Sequence, residues 1–154
     1  MYEITETNDF ESIYWHDSML ISIEFDVLKN SVSFCIDLNI SNVQNNISYQ
    51  PCVATFNNVS NFRLNLEWES ACVGPEIAFI ERELIEKPKH FIDNLDFYCY
   101  TLHFLDPAIG KIELPLVTEF KLATLSEPIV FEGEEDYFKK RAEVMKNYLI
   151  NHTK

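Results

Sequence analysis

Apolar and polar residues alternate along most of this chain, and a period of two is satisfied by half-buried strands rather than helices. Ile21, Ile23, Phe25 and Val27 alternate with Ser22, Glu24 and Asp26. After a turn at Leu28-Lys29-Asn30 the pattern resumes in Val32, Phe34, Ile36, Leu38 and Ile40, which predicts a long hairpin with one apolar face. A further run covers residues 51–58, and Asn57-Asn58 supplies a turn. Phe62, Leu64, Leu66 and Trp68 then alternate with Arg63, Asn65 and Glu67. Tyr98, Tyr100, Leu102 and Phe104 repeat the pattern, Asp106-Pro107-Ala108-Ile109-Gly110 suits a reverse turn, and Ile112, Leu114 and Leu116 follow. Pro115 inside this last run marks an edge strand or a bulge. With only 3 Gly against 13 Asn, most left-handed turn positions must fall to Asn and Asp.

The chain has 154 residues, of which 47% are hydrophobic and 14% aromatic. That suffices for one well-filled core, and the expectation is a single domain over residues 1–154. A helix is predicted at about 134–150, where Phe138, Ala142, Met145 and Leu149 form a stripe. Five acids in residues 127–136 precede five bases in residues 139–154, as the helix dipole favours. Residues 75–87 are ambiguous. Pro75 and Pro88 could bracket a helix with Ile77, Ile80, Leu84 and Ile85 on one stripe, whereas Ile77 and Phe79 start a strand. The fold class expected is therefore α+β, mainly antiparallel sheet of six to eight strands, closed by a C-terminal α-helix.

Charge narrows the function. Twelve Lys and Arg face 25 Asp and Glu, a net charge of −13. Nucleic-acid binding needs clustered cations to displace the counterions of phosphates, so the charge weighs against that class and no nucleic-acid partner is expected. The imbalance is steepest in residues 1–80, which hold 11 acids and 2 bases. Such a field steers a cationic partner and also keeps a protein soluble. The first twenty residues contain no Lys or Arg. A secretory signal needs a basic start, and no apolar run approaches the roughly 20 residues of a membrane span. The expectation is a cytoplasmic protein with no membrane partner. Cys35, Cys52, Cys72 and Cys99 form no CxxC pair, and reduced thiols are expected.

No constellation for chemistry emerges. Zinc needs paired Cys or His ligands at short spacing, which the chain lacks. His16-Asp17 invites comparison with metal-dependent phosphohydrolases, but His90, His103 and His152 are scattered and the pair runs directly into a hairpin. Cys99 and His103 would share a strand face about 13 Å apart, out of reach of each other. Gly-rich phosphate loops, GxSxG and HExxH are missing. No catalytic residue, metal ligand or cofactor is assigned. The polar residues out of phase with the apolar faces are the candidate partner-facing set: Glu24, Asp26, Asp37, Glu67, Glu69 and His103. Cys35 and Cys99, likewise out of phase, are expected to cover a second, shallower core.

Tyr14-Trp15-His16-Asp17-Ser18 forms a candidate structural motif at the approach to the first strand, where Asp17 or Ser18 can accept backbone N–H bonds. With the hairpin that follows, and Val53-Ala54-Thr55-Phe56-Asn57-Asn58-Val59, it resembles small bacterial β-rich proteins that open with aromatic-His-Asp-Ser. Several of those look like immunity proteins encoded beside polymorphic or contact-dependent toxins. The resemblance covers about residues 14–68, continues as a strand pattern to about residue 122, and tips residues 75–87 towards strand. It implies a non-enzymatic protein that binds and neutralises a cognate, cationic toxin domain without a cofactor. The alternative is an accessory binding module with another partner.

Overall fold

The computed structural model describes residues 3–41, 47–59, 62–66, 75–86, 95–133, 135–137, 139 and 140. Within them lie ten strands: β1 (Glu6–Thr7), β2 (Ser18–Asp26), β3 (Ser31–Asn39), β4 (Ile47–Asn57), β5 (Arg63–Leu66), β6 (Glu76–Ile85), β7 (Phe97–Phe104), β8 (Gly110–Val117), β9 (Glu119–Thr124) and β10 (Ile129–Phe131). The sheet runs β1-β9-β4-β3-β2-β6-β7-β8-β5, with β10 pairing the start of β4. Every pairing is antiparallel. The mainly antiparallel class holds. The strand number is ten rather than six to eight, because β1, β5 and β10 are only two to four residues long. A period of two cannot announce itself over so few positions.

The sheet folds over on itself. Strands β4 and β7 are four intervals apart in the hydrogen-bonded order, which in a flat sheet would separate them by about 19 Å. Yet the rings of Phe56 on β4 and Tyr100 on β7 lie 4.9 Å apart. Phe120 on β9 also meets Phe56 at 5.4 Å and Tyr100 at 6.1 Å. Curling encloses these aromatics with Phe34, Ile36, Ile77, Leu102, Ile112 and Leu114, all buried. Phe10, in a single 3-10 turn at Phe10–Ser12, is inserted against Tyr100 and Phe120 at 5.2 and 5.3 Å. Each such pair contributes about 0.5–1.5 kcal/mol beyond its burial.

Strand β2 makes the corner. Only Ser18 and Met19 pair with β6, whereas β2 pairs with β3 from Met19 to Asp26. Ile21 is the extra residue of a bulge between Leu20 and Ser22, and bulges sharpen bend and twist. Leu20, not Ile21, therefore takes the inward place opposite Ile36. Two further bulges matter. Ala78 is extra on β6, and Pro115–Leu116 supplies the extra residue on β8 opposite β7. After the second, Val117 rather than Leu116 is buried.

A second cluster covers the other side of β4. Tyr49 stacks on Tyr137 at 4.5 Å and meets Phe131 at 6.3 Å. Residues 135–137 and 139–140 are helical, and the rest of the expected 134–150 helix lies outside the described residues. Lys139–Glu135 and Lys140–Asp136 are paired one turn apart. Hydrogen bonds from Lys140 and then from the Glu132 amide hold the Asp136 carboxyl below its ordinary range.

Candidate functional site

The β2–β3 hairpin overruns the core. Paired residues across a sheet share a face, so Ile23 opposite Phe34 and Phe25 opposite Val32 point inward. The core ends near Val32 and Phe34, and beyond it the inward face meets water. Phe25 is 53% exposed, Val27 83% and Leu28 97%. Periodicity places Phe25 and Val27 on the apolar face, and the register agrees for Phe25, but both are exposed: the apolar face of the hairpin is not covered to its end. The turn is held by Asn30 at φ 50° and by the Asp26 carboxylate, which accepts the Lys29 N–H at 3.1 Å.

The two faces of this hairpin differ in chemistry. On the inward face a concavity of about 290 Å³ is lined mainly by Phe25, Val27, Val32, Val59 and Phe62, with Asp26, Asn30 and Ser31 at the turn. Phe25 and Phe62 meet edge to face at 4.6 Å, which braces the projecting hairpin. On the outward face a shallow depression of about 780 Å³ is lined by Glu24, Asp26, Ser31, Ser33, Thr55 and Asn57. There the hydroxyls of Ser33 and Thr55 are 3.3 Å apart. Leu28 and Lys29 at the apex also line this depression, and Phe25, Asp26, Val27 and Ser31 border both concavities. Apolar side chains in the turn between two polar-out strands are the signal that could have revealed this surface from sequence.

The predicted partner-facing residues do not converge. Glu24 is exposed and Asp26 half-buried, together on the outward face. Asp37 is only 3% exposed, which corrects its assignment to a contact surface. It pairs with Pro51, two positions from Tyr49, on the side of β3 and β4 that the second cluster covers. Cys35 shares that side and is buried too. Glu67 and Glu69 lie outside the described residues. His103 is on β7, stacked on the exposed Phe79 ring at 4.3 Å, with its Nε2 3.2 Å from Glu81.

The aromatic-His-Asp-Ser motif forms a turn. The Ser18 N–H donates to the Trp15 carbonyl at 3.1 Å, and Asp17 at φ 61° occupies the left-handed region. The Asp17 N–H donates to the Ile77 carbonyl at 3.0 Å, and the buried Ser18 hydroxyl accepts the Asn39 N–H at 2.9 Å. Trp15 is buried against Phe10 at 5.8 Å and Phe120 at 6.2 Å. His16 Nδ1 lies 3.2 Å from the Ala78 carbonyl and its Nε2 lies 3.5 Å from Asp17. Tyr14 is exposed beside it.

One further polar group sits at the edge of the core. Arg82 lies over the rings of Tyr98 and Phe10, at 4.6 and 5.1 Å, and donates to Glu11 at 2.8 Å. Burial works to lower the Arg82 pKa, but the hydrogen bond to Tyr100 and the nearby Tyr100 and Glu11 charges outweigh it. Burial pushes the Tyr100 hydroxyl up, partly opposed by Arg82. Through Glu11 and the Phe10 ring the guanidinium pins the first 3-10 turn to the sheet. Among the described residues no three His, Cys, Asp or Glu side chains converge as a metal site, and no helix is long and apolar enough to cross a membrane. No protein-family model, curated protein or solved structure matches this chain.

Proposed function

We propose that the protein is an immunity protein. It binds and neutralises a cognate toxin domain in the cytoplasm, stoichiometrically and without chemistry of its own. One observation carries this reading: a braced hairpin presents bare Phe25, Val27 and Leu28 beside Glu24 and Asp26. Exposed apolar groups grouped on one element, in an acidic surround, suit a protein partner with basic character. The net charge of −13 supplies long-range attraction to such a partner. The resemblance carried by Tyr14–Ser18 and the strands after it points the same way.

The test is co-expression with a toxin domain encoded beside the gene. Cells should survive the toxin only when this chain is present, and the two should co-purify at one to one. A neighbouring toxin that kills equally in its presence would refute the proposal.

A further inference from the structure

We infer that the β2–β3 hairpin enters a cleft of a protein partner whose floor is apolar and whose rim carries Lys or Arg. This rests on the binding function proposed above and divides the work between the hairpin's parts. Leu28 and Val27 are the anchor: they stand at the apex, 97% and 83% exposed. Phe25 and Phe62 are the brace that holds the apex out from the core. Glu24 and Asp26 flank the anchor on the outward face and meet the basic rim.

Charge selects the occupant. Lys29 is the only base among the first 62 residues. Glu24 and Asp26 outnumber Lys29 at the tip, so a second copy would bring two net-negative tips together, and like charges oppose association. An anionic bilayer would repel the same carboxylates. A cationic protein cleft gains from both features. In such an interface buried apolar anchors set how slowly the complex dissociates, while rim charges set how fast it forms.

The probe is an amphipathic helical peptide of about 14 residues with Leu on one side and Lys on the other, titrated into the isotopically labelled full chain. A second peptide replaces each Leu by Ser. Amide shifts should centre on residues 24–30 with Val59 and Phe62, and the Ser peptide should bind far more weakly. Leu28→Asp should weaken binding of the Leu peptide by about tenfold or more. Glu24→Gln with Asp26→Asn should slow association and flatten its salt dependence. Leu28 is so exposed that its variant should keep the native spectrum. The proposal is overturned by shifts centred elsewhere, by equal binding of the Ser peptide, by no effect of Leu28→Asp, by the hairpin pairing with a second copy, or by its binding to anionic vesicles. Peptide bound at the hairpin with no toxin neutralised would sink the immunity function alone. A toxin neutralised equally well by Leu28→Asp would sink the docking surface alone.

Discussion

His16 Nδ1 reaches across to the carbonyl of Ala78, 3.2 Å away, and Ala78 is the residue that the β6–β7 register leaves over. The bulge turns that carbonyl out of the ladder, and the imidazole satisfies it. The Asp17 N–H to the Ile77 carbonyl makes a second tie one residue earlier. The motif thus fastens the start of β2 to β6 where the sheet turns its corner. A carbonyl acceptor requires that Nδ1 carry the proton.

His16→Ala should therefore lower stability rather than binding. A hydrogen bond of this kind contributes about 1 kcal/mol, so the urea midpoint should fall measurably. Partner affinity should change by less than about twofold, since His16 lies away from the hairpin apex. Unchanged stability with affinity lost would reverse the assignment.

Gly110 begins β8 at φ 107°, opposite Leu66, and a Cβ there would sit 1.9 Å from the Asn65 carbonyl oxygen. Backbone cannot yield as a side chain can. Gly110→Ala should cost about 2–4 kcal/mol and loosen β5, visible as faster amide exchange over Arg63–Leu66. Native-like stability would show that β5 does not approach so closely.

Phe56 joins the two halves of the folded sheet and has no exposed surface. Phe56→Ala should cost about 3–5 kcal/mol, while Leu28→Ser should stay within about 0.5 kcal/mol of the parent. Chemical denaturation of both variants checks the contrast. Equal effects would place the hairpin apex inside the core.

Cys52 gives a pH signature. Burial, with a lesser push from the Asp37 charge, raises its thiol from 9.0 to about 12. Below pH 9 the thiol is protonated in both folded and unfolded chains and its contribution is intact. Between pH 9 and about 12 only the unfolded chain ionises, so stability declines as pH rises. Cys52→Ala should show a shallower decline from pH 9 to 11 than the parent, measured by urea midpoints. Identical slopes would mean that Cys52 is solvated.

Binary pattern by itself determined that this chain builds antiparallel sheet, that the β2–β3 and β7–β8 hairpins turn near residues 28–30 and 106–110, and that a bulge or edge falls at Pro115. Those features depend on neighbours in sequence, and alternation reports them directly. Residues 75–87 stayed ambiguous because the bulge at Ala78 spaces the buried Ile77 and Ile80 three apart, imitating a helical step. Only the tertiary structure decided which apolar faces find cover. Phe25 and Val27 look like core in an alternating string, but the opposing layer stops short of them. Asp37 looks like surface, but Tyr49, Phe131 and Tyr137 roof its side of the sheet. Burial is a property of what stands opposite a residue, and the curl that brings Phe56 to Tyr100 depends on bulges and strand order, which no local period encodes.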